Sequence, residues 1–257
     1  MIATYLERDG GVRIRYEVHG TSADRTPLLL THGYSASSAM WRPNVAAIAE
    51  TRRVITWDMR GHGRTASPRD PELYSQELSV ADMAAVLDTC GIGRAAIGGL
   101  SLGGYLSLAF HDAHPARVAA LLVCDAGPGF KQEKGRERWN AYAESTARAF
   151  ERKGIGALST SPEVAAGPHD PAGLALAARG ILTQHDARVI DSLPSIRVPT
   201  LVVVGENDEP FLAAADYMAA KIPGATKNVI RSAGHAANVD QPGAFNAAVT
   251  AFLARLD

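Results

Sequence analysis

Residues Ala96–Ser107 read "AIGGLSLGGYLS" and place a single serine, Ser101, between two pairs of glycines. A short apolar run precedes the serine, and the residues after it have the composition of a helix. Glycine in the interior of a strand or helix costs roughly 0.5–1 kcal/mol. Its repeated use around one serine therefore indicates a backbone path that larger side chains would obstruct. The stretch predicts a tight turn from a strand into a helix, with Ser101 at the turn.

The wider chain predicts an α/β fold. It has 257 residues, of which 46% are hydrophobic, and this is enough to bury a large core. Solid apolar runs recur along it: "PLLLTH", "RRVITWD", "RAAIGGL", "VAALLVCD", "VPTLVVVGE" and "TKNVIRSA". Helical patterns follow at Leu78–Cys90, Leu102–His111, Phe211–Ile222 and Pro242–Leu256. Alternating strands and helices form a parallel sheet with helices on both faces. A hairpin signal around Asp9-Gly10-Gly11 adds an antiparallel pair, so we expect a mostly parallel sheet of about eight strands.

The alternation of strands and helices stops between residues 127 and 194, where no strong strand signal occurs. The segment is rich in alanine and charged residues. A loop of this length without secondary structure is uncommon in a compact domain. We therefore predict a helical cap insertion at residues 127–194 and a core domain made of residues 1–126 and 195–257.

Charge and cysteine content exclude several classes of protein. The net charge is −1, from 26 basic and 27 acidic residues, so there is no electrostatic case for binding nucleic acid or an anionic membrane. Cys90 and Cys124 lie in apolar surroundings and form no disulfide framework. Acidic residues interrupt the N-terminus before a signal peptide core could form, and the apolar runs are too short to span a bilayer. We expect a soluble, cytoplasmic protein.

The turn at Ser101 has the pattern G-x-S-x-G, "GLSLG", in the strand–turn–helix context of a nucleophile elbow. Gly99 and Gly103 lack the Cβ atoms that would collide in such a turn. The start of the following helix favours negative charge that develops near the serine. A phosphate-binding loop fits less well, because no Gly-Lys-Ser/Thr follows.

A second glycine-rich stretch, "GHGRTA" at Gly61–Ala66, matches a relaxed dinucleotide-binding fingerprint. A functional fingerprint must open a helix, whose N-terminus then meets the pyrophosphate. Here Ser67-Pro68 and Asp70-Pro71 follow directly. We therefore predict a turn at this stretch, with no bound dinucleotide.

The sequence resembles the α/β-hydrolase family, in its capped, esterase- and lactonase-like branch. The resemblance covers nearly the whole chain. It is carried by "THGY" at Thr31–Tyr34, "DMRGHGRT" at Asp58–Thr65, "GLSLGG" at Gly99–Gly104, "GENDE" at Gly205–Glu209 and "GHAANVDQP" at Gly234–Pro242. It implies the α/β-hydrolase fold, a small-molecule substrate, and no metal or organic cofactor. It also matches His32 and His62 to structural positions of the family.

A serine hydroxyl is a poor nucleophile and needs an adjacent base. The resemblance places this base at His235, in "SAGHAAN" after the last strand. Two aspartates are candidates for the acid that orients it, because both follow buried strands: Asp208 and Asp125. The family order of serine, acid and histidine favours Asp208, although an aspartate there could also cap the next helix. His111 and His114 lack a third convergent ligand, so we predict no metal site there.

A tetrahedral oxyanion needs backbone N–H donors. The elbow motif assigns one to Leu102, the residue after the nucleophile. The resemblance assigns the other to Tyr34, whose ring either lines the pocket or packs in the core. In the cap, Trp139 and Tyr142 would share a helix face that either roofs the pocket or packs against the core. Three cap arginines either hold a substrate carboxylate or are simply solvated: Arg136, Arg138 and Arg148.

These residues together predict a serine hydrolase that cleaves a small carboxylic ester or lactone through an acyl-enzyme on Ser101. Two alternatives remain open. One is a C–C bond hydrolase of ring-cleavage products, but such relatives usually carry Trp after the catalytic histidine, where this chain has Ala236. The other is a non-hydrolytic ligand sensor or a cofactor-free oxygenase on the same fold.

Overall fold

A computed structural model describes residues 4–22 and 24–256, and its strands form one sheet. The strands are β1 (Thr4–Arg8), β2 (Val12–His19), β3 (Leu28–Thr31), β4 (Val54–Trp57), β5 (Ala95–Leu100), β6 (Val118–Cys124), β7 (Thr200–Gly205) and β8 (Thr226–Ile230). The helices are α1 (Arg42–Ala49), α2 (Gln76–Thr89), α3 (Leu102–Ala113), α4 (Glu133–Lys153), α5 (Pro162–Ala165), α6 (Pro171–Ala177), α7 (Arg188–Ser192), α8 (Glu209–Lys221), α9 (Ala237–Asp240) and α10 (Pro242–Leu253). A π-helical turn at Ala178–Leu182 continues α6.

The sheet has the order β1-β2-β4-β3-β5-β6-β7-β8. The first strand pairs antiparallel with β2 and β2 pairs antiparallel with β4, whereas all remaining pairs are parallel. This arrangement confirms the predicted hairpin and the mostly parallel eight-stranded sheet. Because β5 to β8 run parallel, their carboxyl ends open on the same edge of the sheet.

The central strands are apolar on both sides because helices cover both faces of the sheet. Alternate side chains of β3 show this division, since successive residues of a strand point to opposite faces. Leu29 packs in the core with α2, α3 and α8, whereas Leu28 and Leu30 pack with α1 and α10. All three are fully buried, and each such leucine contributes roughly 1.5–3 kcal/mol to the stability.

Two helices, α1 and the short α9, are additional to those that the sequence pattern singled out. A buried polar residue interrupts the apolar stripe of α1: the Asn44 side chain donates to the backbone oxygen of Asn238 at 2.9 Å. This contact spans most of the chain, so no local pattern could reveal it. The predicted last helix also ends earlier than expected, at Leu253.

Residues 127–194, which we call the insertion, contain α4 to α7 and lie between β6 and β7 in the chain. Helix α4 packs against α6 and the π-helical turn, and Arg179 forms ion pairs with Glu144 and Glu151 across this contact. Within the described chain, no helix combines the length and the apolar composition needed to cross a membrane.

Candidate active site

Ser101 occupies a strained turn between β5 and α3. Its φ of 55° and ψ of −116° lie in a region that residues with a side chain rarely adopt. The turn is held by the Ser101 backbone N–H, which donates to the Cys124 oxygen at 2.9 Å. Backbone strain of this kind costs about 1–3 kcal/mol and is concentrated at functional sites. The hydroxyl of Ser101 is thereby presented at the carboxyl edge of the sheet.

The glycines around the serine are required by close backbone packing. A Cβ atom on Gly99 would lie 2.4 Å from the carbonyl carbon of Gly103. A Cβ atom on Gly103 would lie 2.2 Å from the backbone oxygen of Thr31. Both distances are far below a van der Waals contact. The glycines therefore let β5, α3 and the end of β3 approach one another directly beneath Ser101.

His235 follows β8 and lies beside Asp208, which follows β7. Its Nδ1 lies 2.9 Å from Oδ2 of Asp208, whose side chain is buried. The imidazole also packs on the Phe211 ring, with 4.8 Å between the centroids. Burial alone lowers the pKa of His235, but the hydrogen bond and charge of Asp208, with the charges of Asp125 and Glu163, outweigh it. The pKa of His235 is therefore raised above its ordinary value of 6.5.

Asp125, the other candidate acid, contacts backbone groups instead of the histidine ring. Its Oδ1 accepts from the Gly205 N–H at 2.7 Å, and its Oδ2 accepts from the Ala237 N–H at 3.3 Å. The carboxyl is fully buried, and burial raises its pKa to about 8 against the lowering effect of the Gly205 hydrogen bond. Asp125 thus joins the end of β7 to the loop that carries His235.

Two backbone N–H groups near Ser101 have no hydrogen-bond partner within residues 4–22 and 24–256: those of Tyr34 and Leu102. Leu102 is the first residue of α3. The loop that carries Tyr34 lies close to the serine, because a Cβ atom on Gly33 would be 3.5 Å from Cβ of Ser101. The Tyr34 ring packs against Phe150, and its hydroxyl donates to a backbone oxygen of α6. The ring is thus part of the packing between the loop and the insertion and does not line the cavity described below.

The "THGY" and "DMRGHGRT" motifs hold this loop in position. His32 Nε2 accepts from the Met59 N–H at 3.0 Å. The buried Asp58 carboxylate accepts from the Ser38 N–H at 2.7 Å and from the Arg64 N–H at 2.9 Å. The glycine-rich stretch within the second motif forms a turn and opens no helix, as predicted. Both motifs therefore position the backbone around the site.

A cavity of about 320 Å³ opens beside Ser101. The core contributes Tyr105 and Phe211 to its wall, and the insertion contributes Phe130 and Trp139. In the part of the chain that the structure describes, the Ser101 hydroxyl makes no hydrogen bond to His235, whose imidazole is hydrogen-bonded to Asp208. Such contacts often shorten only when substrate is bound. The site therefore combines a serine, a histidine–aspartate pair and free N–H groups beside a mainly apolar cavity.

The insertion residues singled out from the sequence separate into two groups. Trp139 lines the cavity, whereas the adjacent Tyr142 is 56% exposed. The three arginines considered from the sequence, Arg136, Arg138 and Arg148, do not line the cavity. Arg136 donates to the backbone oxygens of Phe130 and Lys131, and Arg148 pairs with Glu144. The apolar wall residues Phe130 and Phe211 were not identified from the sequence, since no motif surrounds them.

A larger cleft of about 710 Å³ lies elsewhere, between β2, β4, α1 and residues 165–168. Its lining is charged, and Arg15 there already pairs with Glu17. It contains none of the residues of the candidate site.

Comparison with known proteins identifies relatives of this sequence and of this fold. The sequence profile of the alpha/beta hydrolase fold family matches residues 26–242. The chain is 29% identical to 3-oxoadipate enol-lactonase 2 of Acinetobacter baylyi over 266 residues, which cover 96% of this chain and 95% of that protein. It is 27% identical, over 95% of each chain, to a Bacillus subtilis protein named "Putative 2-succinyl-6-hydroxy-2,4-cyclohexadiene-1-carboxylate synthase". A thermophilic esterase from Thermogutta terrifontis superimposes with a TM-score of 0.85 at 27% identity, covering 100% of this chain and 99% of that chain.

The chain therefore belongs to the α/β-hydrolase fold family, as the resemblance of its motifs implied. Esterases and lactonases among its relatives and structural neighbours make it a hydrolase.

Proposed function

We propose that this protein is a serine hydrolase that cleaves a small carboxylic ester or lactone through an acyl-enzyme on Ser101. The observation that carries the proposal is the position of Ser101. It occupies a left-handed turn beside an apolar cavity, at the sheet edge where the 2.9 Å contact joins His235 to Asp208. Ester and lactone cleavage is the activity named for the Acinetobacter lactonase and the Thermogutta esterase.

In the proposed first step, Nε2 of His235 takes the hydroxyl proton while Ser101 Oγ attacks the substrate carbonyl carbon. Asp208 accepts the Nδ1 hydrogen bond, which fixes the tautomer and stabilises the imidazolium that forms. The N–H groups of Tyr34 and Leu102, which have no hydrogen-bond partner among the described residues, donate to the oxyanion. The C–O bond to the leaving group then breaks, and His235 returns the proton to the leaving oxygen.

In the second step, water attacks the acyl carbon and gives its proton to His235, and the bond to Ser101 Oγ breaks. The acid leaves and the serine regains its proton. Burial lowers the pKa of His235, but the hydrogen bond and charge of Asp208 raise it, and the higher net pKa makes the imidazole a stronger base in both steps.

We also propose that residues 127–194 act as the cap of this site, on a core of residues 1–126 and 195–257. The proposal is supported by the cavity wall, to which Phe130 and Trp139 contribute from the insertion. Exchange of the insertion for that of a relative is expected to change the order of preferred substrates while small activated esters are still hydrolysed. An unchanged order would contradict this role.

The test is labelling with a fluorophosphonate, followed by peptide mapping and turnover of p-nitrophenyl butanoate. We expect the label on Ser101 and loss of turnover in Ser101→Ala. The matched control is Ser232→Ala, because Ser232 has a similar φ of 56° on an exposed loop. Labelling of a different serine, or full turnover by Ser101→Ala, would refute the proposal.

The Bacillus relative favours a second candidate function, a synthase activity, because that protein is named as a synthase. Turnover in water labelled with oxygen-18 distinguishes the hydrolase activity from the synthase activity. A hydrolase places the heavy oxygen in the released acid, since water cleaves the acyl-enzyme. Product without heavy oxygen would favour the synthase activity.

A further inference from the structure

The cavity beside Ser101 is short of polar groups that face it. Among the described residues that line it, none is charged. Two of its polar side chains are engaged elsewhere: the Tyr105 hydroxyl donates to Gln76 at 3.1 Å, and the Trp139 indole N–H donates to the Leu182 oxygen at 2.7 Å. Apart from Ser101, the remaining polar side chain among the described residues of the wall is the amide of Gln184.

Gln184 is built into the wall and is only 7% exposed. Its backbone is clamped to α4, because its N–H donates to Asn140 Oδ1 at 2.8 Å and its oxygen accepts from Asn140 Nδ2 at 2.9 Å. Room for the side chain is provided by Gly129, where a Cβ atom would lie 2.9 Å from Gln184 Oε1. The side chain is therefore held by its surroundings and is not free to swing into solvent.

The Gln184 Oε1 atom is buried and has no hydrogen-bond partner within the described residues. An acceptor that is buried without a partner destabilises the protein, and such groups in native structures call for an explanation. The explanation that fits its place in the wall is a partner that arrives with the substrate.

We propose that Gln184 is a specificity-determining residue that hydrogen-bonds a hydroxyl group on the acyl part of an otherwise apolar, uncharged substrate. This inference rests on the proposed ester or lactone hydrolysis at Ser101. A hydroxyl can donate to Oε1 and can also accept from the amide nitrogen, so it satisfies Gln184 in either orientation of the amide. The wall formed by Phe130, Trp139 and Phe211 then surrounds the apolar part of the acyl chain.

A carboxylate on the acyl chain fits this cavity poorly. A buried anion requires a paired cation or several hydrogen-bond donors. The arginines nearest in sequence to Trp139 do not line the cavity, and the N–H groups of Arg136 are taken by the oxygens of Phe130 and Lys131. We therefore expect dicarboxylate half-esters to be poor substrates.

The experiment compares kcat/KM for methyl butanoate, the methyl hydroxybutanoates with the hydroxyl at carbon 2, 3 or 4, and monomethyl succinate. For the wild type we expect at least one hydroxy ester to exceed methyl butanoate by about tenfold, the effect of a neutral hydrogen bond, and monomethyl succinate to be slowest. In Gln184→Met, which keeps an unbranched side chain of similar length, that ratio is expected to fall to about one. Gln184→Leu provides a second variant if the first folds poorly.

The matched control is Gln132→Leu, because Gln132 is an exposed glutamine at the start of α4, and its ratio should equal that of the wild type. Fluorophosphonate labelling of each variant reports whether the serine site is intact. Labelling with an unchanged hydroxy-to-plain ratio in both Gln184 variants, or with monomethyl succinate as the best substrate, overturns this inference alone. Absence of both labelling and ester turnover in the wild type overturns the proposed hydrolase function instead.

Discussion

Replacement of Asp208 by Asn changes the group that contacts His235 while keeping the size of the side chain. The contact is a charge-assisted hydrogen bond of 2.9 Å, and the Asp208 side chain is only 5% exposed, so solvent cannot replace the lost charge. Asn either turns its amide nitrogen toward Nδ1, which forces the wrong tautomer, or presents a neutral oxygen that stabilises the imidazolium less. In a serine protease the same change lowered kcat by about 10⁴, which corresponds to about 5.5 kcal/mol.

We therefore expect Asp208→Asn to lower kcat by about 10³–10⁴ near neutral pH. The KM should change little, because Asp208 does not line the cavity.

Asp125→Asn is the matched control, because Asp125 is a second buried aspartate that accepts from the backbone of Gly205 and Ala237. Asn keeps one acceptor and turns an amide N–H₂ toward the other backbone N–H. Loss of one buried hydrogen bond of this kind costs about 1–3 kcal/mol of stability. We expect a lower Tm and a decrease in kcat of less than about tenfold.

The assay is steady-state hydrolysis of p-nitrophenyl butanoate at neutral pH, with the Tm of each variant measured by circular dichroism. The reverse order, with Asp125→Asn nearly inactive and Asp208→Asn nearly unaffected, would show that Asp125 is the acid. The assignments of Ser101 and His235 would survive that result.

Three further predictions concern the pH dependence of His235 and Asp125 and the packing around Gly99. The pKa of His235 is raised and the base acts unprotonated, so kcat/KM should rise with pH through a pKa above 6.5. Asp208→Asn should move this rise in kcat/KM to lower pH. Coincident pH profiles of the wild type and the variant would contradict the pairing of Asp208 with His235. The pKa of Asp125 is about 8 in the folded protein and about 3.8 when unperturbed, so folding binds a proton between these values. The contribution of Asp125 to stability is fully present below about pH 3.8 and is lost as the pH rises through 8. In urea melts, the free energy of unfolding should therefore decline less from pH 5 to pH 8 in Asp125→Asn than in the wild type. Gly99→Ala places a Cβ atom 2.4 Å from a backbone carbon and should lower the Tm severely, whereas Gly93→Ala, with nothing within 4 Å, should leave it near that of the wild type; equal melting temperatures would refute the packing argument.

The sequence by itself determined the order of the strands, the helices α2, α3, α8 and α10, and the turn at Ser101. These features are local: β5 is a solid apolar run, and the glycine spacing around the serine reflects collisions within one turn and its neighbours. The hairpin at the start and the parallel sheet likewise followed from short-range patterns. The place of His235 came from the resemblance of its motif to a known family.

Only the tertiary structure distinguished the environments of the two aspartates. Asp125 and Asp208 both follow apolar strands, and nothing local reveals that one carboxylate faces backbone N–H groups while the other faces an imidazole. The folded chain also turned Arg136 toward backbone oxygens, which removed it as a partner for a substrate carboxylate.

Most of the cavity wall could not be predicted from the sequence, which left open whether Trp139 roofs the pocket or packs against the core. Trp139 and Gln184 lie far apart in the chain and line the same cavity because the segment that carries Gln184 is hydrogen-bonded to Asn140 of α4. Gln184 belongs to no motif and to no regular apolar pattern. Side chains from distant segments meet only when the helices pack, so the groups that would select a substrate are decided by packing, whereas the turn that carries the serine is decided by local backbone sterics.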